Sequence, residues 1–298
     1  MNALLFVVCV LIWGSTWIAI TFQVGEVDPV VAVAWRFSIA VACLGVWILL
    51  SRRSFVLPFR THLQALFVGL FLYTLDYSFL YAAQHYMISA LLAVLSSSVI
   101  YFTVILRRVL LKKPIRLEVV IGATLGLIGI VCIFLPEFDN LSIQEGLIAG
   151  LIFAGISFLC AAIGNILSES ILEKGTPVVQ MNFFAMGYGL IFMYGFGLIS
   201  GVSYQLPQGS DFYWALFYLA LFGSVFAFGA YMKLLQRIGS DKSTYVVLVY
   251  PIVALGLSTL FEGYIWSGQA AFGVALVLIG NAIAMGKFNN ALRSLKAQ

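Results

Sequence analysis

The chain has 298 residues, of which 62% are hydrophobic and only 9% are charged, with a formal net charge of +4 at pH 7. Soluble domains carry about a quarter charged residues, so this composition excludes a soluble enzyme or binding domain and predicts an all-α membrane protein. The small positive charge does not indicate nucleic acid binding, because in a membrane protein the position of each basic residue matters more than their sum.

Ten apolar segments are each long enough to cross a bilayer as a helix, which takes about 20 residues. The connections between them are short and leave no room for a soluble domain. The N-terminal segment has no basic region and no cleavage site, so it is expected to remain as the first spanning helix. The predicted spans are 4–21, 30–50, 63–83, 89–108, 117–135, 146–168, 178–200, 212–233, 243–261 and 268–286.

Lysine and arginine are confined to one side of these predicted spans. With the N-terminus in the cytoplasm, every basic residue except Arg36 falls in a cytoplasmic loop or in the C-terminal tail. The opposite loops carry acidic residues instead, Glu26, Asp28, Glu137, Asp139, Glu145, Asp211 and Glu262. By the positive-inside rule, this distribution predicts a multi-pass protein of the bacterial inner membrane with both termini in the cytoplasm.

The two halves of the chain resemble each other at an offset of about 150 residues. "GATLGLIG" (Gly122–Gly129) matches "GVALVLIG" (Gly273–Gly280), and "DPVV" (Asp28–Val31) matches "TPVV" (Thr176–Val179). We therefore predict two domains, 1–138 and 139–298, each with five spans. An odd number of spans inverts the second repeat, an arrangement typical of secondary transporters with a site near the midplane. The glycines of the first motif are predicted to pack helices together.

This pattern resembles the EamA-domain transporters of the drug/metabolite transporter superfamily. The matching residues are "IWGSTW" (Ile12–Trp17), Pro29 with "WRF" (Trp35–Phe37), and Pro251 with Glu262 in the second half. The resemblance covers nearly the whole chain. It implies ten helices around a central cavity and secondary transport of a small molecule, with no ATPase and no cofactor.

Two charged residues lie inside the predicted spans, Arg36 in the second and Asp76 in the third. Each is about 10 Å from the outer boundary, counting 1.5 Å per residue. One interpretation is an Arg36–Asp76 ion pair, or an Arg36 capped by backbone carbonyls, that only holds helices together, because pairing reduces the cost of charge in the membrane. The other is that Asp76 lines the substrate path, where it meets a positively charged group or carries a coupling proton.

Aromatic and polar residues within the spans complete the predicted site. Tyr73 and Tyr77 lie on the same side of the third span as Asp76, and such rings attract cations, although tyrosines also anchor helices at the membrane surface. Pro251 is predicted to kink the ninth span. The remaining candidates for the cavity are Trp13, Thr16, Trp17, Ser97, Tyr101, Asn165 and Tyr250.

No sequence motif indicates catalysis, a metal site or a cofactor. The four cysteines lie in apolar runs, and GxSxG, HExxH and Walker motifs are absent from the sequence. We predict a transporter that exports an amino acid, an amine or a related metabolite by alternating access, driven by a proton gradient or by exchange. The alternatives are import of a metabolite or nucleobase-like solute, an intramembrane enzyme, or a channel. The expected partners are the substrate, the bilayer and a proton, without nucleic acid, for a monomer or homodimer.

Overall fold

The computed structural model describes residues 1–87, 89–115, 117–140, 146–261, 263 and 265–284. Throughout these ranges the chain folds into helices joined by short loops, and no strand occurs in them. Glu262, one of the residues that carry the family resemblance, and the C-terminal tail predicted in the cytoplasm lie outside the described residues.

The described residues form ten continuous helical stretches. These are α1 Asn2–Thr21, α2 Pro29–Leu50, α3 Phe59–Gln84, α4 89–110, α5 Leu117–Asn140, α6 Leu147–Leu172, α7 Val178–Ser200, α8 Ser210–Ile238, α9 Ser240–Phe261 and α10 Gly268–Ala284. Seven of them (α1, α2, α3, α6, α7, α8 and α9) are long and apolar enough to cross a membrane. The prediction of an all-helical, multi-pass membrane protein is confirmed.

The other three helices, α4, α5 and α10, are also apolar. Helices α5 and α10 contain shorter apolar stretches, Leu117–Ile133 and Gly268–Gly280. Helix α4 is divided by a tighter 3₁₀ turn at Ser96–Ser98, so neither of its parts is long enough to span a bilayer alone. The three serines that interrupt the apolar run therefore mark a local change of helical geometry.

Local sequence sets the start of α2. The side chain of Asp28 accepts a hydrogen bond of 2.8 Å from the backbone N–H of Val30, and Pro29 occupies the first helical position. An aspartate cap followed by proline is a favoured helix start, because both satisfy or remove donors that the first turn leaves unpaired. This start fixes the register that carries Arg36 about two turns into the helix.

Helices α3 and α8 each contain a π-helical segment, at Gly69–Leu75 and Leu219–Phe226. In α3 the hydroxyl of Thr74 donates to the carbonyl of Gly69, and in α8 the hydroxyl of Ser224 donates to the carbonyl of Leu219, both at 3.1 Å. Widened turns of this kind are rare and are frequently found at functional sites. Both segments lie beside the central cavity described below.

Helices α5 and α10 are in close backbone contact with each other. A Cβ atom added to Gly273 would overlap the carbonyl oxygen of Gly129, and one added to Gly280 would overlap that of Gly122. Only glycine allows two backbones to approach in this way, so the prediction that these glycines pack helices together is confirmed.

The remaining helices interleave between the two halves of the chain. Helix α1 packs on α8 and α9, α6 packs on α3 and α4, and α2 packs on α7. Because the partners come from opposite halves, the space at the centre is enclosed by both, with walls formed mainly by α1, α3, α4, α6, α8 and α9.

Candidate functional site

A cavity of about 690 Å³, its open mouth included, lies between the two halves. It is mainly apolar and aromatic, with a few polar side chains directed into it, which is the usual composition of a small-molecule site. Most of the residues predicted from the sequence line it: Trp13, Thr16, Trp17, Arg36, Asp76, Tyr77, Asn165 and Tyr250.

Asp76 follows directly after the π-helical segment of α3 and is only 8% exposed. Its Oδ1 atom accepts a hydrogen bond of 2.6 Å from the hydroxyl of Ser157 on α6. Ser157 is itself fully buried, so the bond joins the two halves of the chain in a region shielded from water. One neutral donor thus holds the carboxylate at the cavity wall.

Arg36 reaches the same cavity from α2 and is 1% exposed. Its Nε atom donates a hydrogen bond of 2.9 Å to the hydroxyl of Ser224, in the π-helical segment of α8. The guanidinium carbon lies 4.6 Å from the centre of the Tyr77 ring, within the range of a cation–π contact. The Nη1 atom is buried and has no hydrogen-bond partner within the described part of the chain.

The structure corrects the expectation of a direct Arg36–Asp76 ion pair. Among the described residues, no nitrogen of Arg36 lies within 4.0 Å of an oxygen of Asp76. Arg36 turns toward α8 because Gly223 leaves room there: a Cβ atom at that position would lie 3.0 Å from Nη2. The two charges therefore face one cavity, and each is held by a serine from the other half of the chain.

An aromatic wall faces these charges. The indole N–H of Trp13 donates to the carbonyl of Gly223 at 3.2 Å, and its ring lies 5.1 Å from that of Phe228. The ring centres of Trp17 and Tyr250 are 5.8 Å apart. Pro251 lies inside α9 immediately after Tyr250, in the position predicted for the kink. Aromatic rings in edge-on and tilted contact form a surface that suits an apolar or cationic portion of a ligand.

Three predicted candidates lie outside the cavity lining. Tyr73 is fully buried, and its hydroxyl donates to Oδ1 of Asn182 at 3.2 Å, so it joins α3 to α7. Ser97 donates to the carbonyl of Val247 at 3.1 Å, and Tyr101 lies one turn further along α4. Ser96 lines the cavity instead, with its oxygen 2.5 Å from that of Tyr250. The 3₁₀ turn rotates the serines, which a regular helical register does not anticipate.

A cluster of ionised side chains was missed by the sequence analysis. Glu169 on α6 is 0% exposed. The sequence analysis had predicted Asp76 to be the acidic residue inside a span and had not identified Glu169. Arg107 donates to both carboxylate oxygens of Glu169, at 3.2 Å and 3.0 Å, and contacts Asp241 at 3.1 Å. We call Arg107, Lys113, Glu169, Glu173 and Asp241 the ion cluster. Glu169 lies one helical turn after Asn165, and this spacing could have indicated that the two side chains share a buried face.

Lys113 and Ser240 also donate hydrogen bonds to Glu169. The Nζ atom of Lys113 donates to Glu169 at 2.8 Å and also contacts Glu173, and the hydroxyl of Ser240 donates to Glu169. Partial burial opposes the charge of Lys113, but the hydrogen bonds to Glu169 and Glu173 outweigh this effect and raise its pKa above the ordinary value. Lys113 therefore remains charged at neutral pH.

Both halves of the chain match the EamA-like transporter family, over residues 1–135 and 148–286. The chain belongs to the EamA-like transporter family. The resemblance inferred from the sequence motifs is thus confirmed. Membership of this family identifies the chain as a membrane transporter.

Individual relatives agree with this family. A protein of Escherichia coli K12 named as an uncharacterized inner membrane transporter, YedA, is 32% identical over 280 residues, which cover 91% of this chain and 88% of YedA. Protein PagO of Salmonella typhimurium is 25% identical over 287 residues, covering 93% of this chain and 90% of PagO. One crystal structure of 20% identity covers 95% of this chain and 96% of its own, with a TM-score of 0.75, and shares the fold.

The cavity can bind a ligand through charged groups, hydrogen bonds and aromatic rings. Within the described ranges, no group of three or more His, Cys, Asp or Glu side chains is placed to hold a metal ion. The cysteines Cys9, Cys43, Cys132 and Cys160 are not joined in disulfides. The cavity offers one carboxylate and one guanidinium as its charged groups.

Proposed function

We propose that this chain is a secondary active transporter that moves a small metabolite carrying an amino group, such as an amino acid or an amine, across the bacterial inner membrane. It works by alternating access and exports its substrate, driven by a proton gradient or by exchange. Its ten helices form two inverted five-helix repeats, 1–138 and 139–298, around the central cavity, with both termini in the cytoplasm.

Three features support the inverted repeats. The family matches each half of the chain separately. The π-helical segments begin at Gly69 and Leu219, and the hydroxyls within them, Thr74 and Ser224, bond to these same residues, so both features recur at the offset found in the sequence. The contacts also follow a two-fold pattern, because α1 packs on α8 and α9 as α6 packs on α3 and α4. Inverted repeats with a site at their interface are typical of secondary transporters.

The separation of Asp76 and Arg36 carries the proposal for the substrate. A buried charge is costly unless it is paired, yet within the described ranges neither of these charges forms an ion pair, and Nη1 of Arg36 has no hydrogen-bond partner there. A ligand with an ammonium group near Asp76 and a carboxylate near Arg36 would supply both missing partners. A small zwitterion fits this arrangement better than a neutral solute does.

Asp76 also gives a route to proton coupling. When the substrate leaves, the carboxylate of Asp76 loses the ammonium group that balanced it and, within the described part of the chain, keeps only the hydrogen bond from Ser157. Intramembrane carboxylates in transporters commonly exchange a substrate for a proton in this situation. The aromatic wall of Trp13, Trp17 and Tyr250 would contact the side chain of the substrate.

Ligand-dependent thermal stability of the purified protein tests the substrate class. A ligand that binds only the folded state raises the apparent melting temperature by mass action. Amino acids, polyamines, quaternary amines, nucleobases and organic anions are compared on the intact chain, on Asp76→Asn and on Asp211→Asn. Asp211 is an exposed acid outside the cavity, so its variant is the matched control.

We expect amino acids or amines to stabilise the intact chain and Asp211→Asn, and to lose this effect in Asp76→Asn. Counterflow of the same compound into proteoliposomes then measures its exchange. Stabilisation by anions or nucleobases alone, or stabilisation kept in Asp76→Asn, contradicts the proposed substrate class.

A further inference from the structure

The ion cluster lies on the same helix faces as the cavity, at the end of the bundle where the basic loops lie. On α4, Val99 lines the cavity, and Thr103 and Arg107 follow at intervals of four residues. On α6, Asn165 lines the cavity and Glu169 follows four residues later. Four residues of α-helix advance about 6 Å and return to nearly the same face. The cluster therefore begins only one to two turns beyond the cavity.

The route between the cavity and the cluster is closed by buried side chains. Thr103 on α4, and Thr244 and Tyr245 on α9, are fully buried. The hydroxyl of Thr103 and the carbonyl oxygen of the Asn165 side chain have no hydrogen-bond partner in the described part of the chain. Buried polar atoms without partners are rare in stable interiors. These atoms would gain water as a partner if the route opened.

The ion cluster also joins the two halves of the chain at this end of the bundle. Arg107 and Lys113 belong to the first half of the chain, whereas Glu169, Glu173 and Asp241 belong to the second. Gly239 places Asp241 there with a backbone φ of 82°, and a Cβ atom at Gly239 would lie 3.0 Å from Nη2 of Arg107. Any motion that widened this end would have to separate these charges from one another.

We propose that the ion cluster is the gate of this end, which the positive-inside rule places in the cytoplasm. It closes the cavity in the conformation described and separates when the cavity opens to the cytoplasm. The inference rests on the proposed alternating access. A buried ion pair suits a gate, because its attraction is strong only while water is excluded and hydration compensates its loss on opening. The ion cluster can therefore adopt two arrangements, one paired and closed and one separated and hydrated.

Labelling of a cavity cysteine from each side of the membrane tests the gate. Ala161 lines the cavity, so Ala161→Cys is the reporter, in a background where Cys9, Cys43, Cys132 and Cys160 are replaced by serine. A membrane-impermeant maleimide is applied to inverted vesicles and, separately, to right-side-out vesicles. The gate variants are Glu169→Gln and the milder Asp241→Asn. The matched control is Arg108→Ala, which removes an exposed charge next to Arg107.

We expect the reporter to react slowly from the cytoplasmic face in the parent chain and in Arg108→Ala. In Glu169→Gln the rate from that face should rise on the order of tenfold, with a smaller rise in Asp241→Asn, because weakening one state moves population to the other. Labelling from the opposite face should fall in the same variants. A variant that only unfolds reacts faster from both faces, so the opposite signs identify gating.

Two results would overturn the inference. In one, the parent chain already reacts from the cytoplasmic face as fast as the gate variants. In the other, Asp241→Asn and Glu169→Gln both fold and keep the parent rates from both faces. No substrate is needed for this measurement, so failure of the proposed substrate class leaves the test of the gate intact.

Discussion

The hydrogen bond from Ser157 to Asp76 gives a direct measure of the charge held in the cavity. The change is Ser157→Ala, which removes one donor from a fully buried position and leaves Oδ1 of Asp76 without its bond of 2.6 Å. A hydrogen bond to a charged group contributes about 1.5–3 kcal/mol, and one between neutral groups about 0.5–1.5 kcal/mol. An ionised Asp76 therefore predicts a loss at the upper end of this combined range.

The matched control is Ser168→Ala on the same helix. Ser168 is equally buried, but its hydroxyl donates to the carbonyl of Gly164 in its own helix at 2.8 Å. This bond joins neutral groups within α6, so its loss should cost no more than about 1 kcal/mol. The two serines differ chiefly in the charge of the acceptor, and comparing them removes the general effect of a buried serine.

The assay is reversible unfolding in mixed detergent micelles, from which the free energy of unfolding is obtained at several pH values. As the pH falls and Asp76 takes up a proton, the cost of Ser157→Ala should fall from about 1.5–3 to about 0.5–1.5 kcal/mol. The cost of Ser168→Ala should not change with pH. In Asp76→Asn, the further change Ser157→Ala should cost only the neutral amount, which a double-mutant cycle measures.

Equal losses in Ser157→Ala and Ser168→Ala at every pH would refute the reasoning. Such a result would mean that Asp76 is neutral throughout, or that its carboxylate finds another donor when Ser157 is removed. If Asp76 is neutral throughout, it cannot serve as the charged partner of an ammonium group, and the proposed substrate class loses its main support.

Two further predictions concern packing and topology. Gly273→Ala should destabilise the protein by about 1–3 kcal/mol, because its methyl group overlaps the carbonyl of Gly129, while Gly268→Ala on the same helix meets nothing within 4 Å and should be neutral in the same unfolding assay. In the cysteine-free background, Ser54→Cys should react with an impermeant maleimide from the cytoplasmic face and Ser210→Cys from the opposite face, and labelling of both from one face contradicts the predicted orientation.

Much of the site could be predicted because helices present residues at a regular period. Asp76 and Tyr77, which face the cavity, were found from a charge within an apolar run and from helical spacing. The same reasoning failed for Ser97, because the 3₁₀ turn at Ser96–Ser98 changes the period that it assumes. It also failed for Glu169, because the predicted span ended at residue 168, whereas α6 continues to Leu172.

The sequence by itself determined the membrane class and the family. The membrane class follows from composition, because the cost of placing polar residues in hydrocarbon depends on residue type more than on neighbours. The family follows from short motifs such as "IWGSTW" (Ile12–Trp17). Only the tertiary structure decided which groups meet. Arg36 bonds to Ser224, which lies 188 residues away, and not to Asp76, because the π-helical segment of α8 and the space beside Gly223 bring that hydroxyl within reach. Such contacts depend on how each helix is rotated and on where its turns widen, and neither can be predicted from a short stretch of sequence.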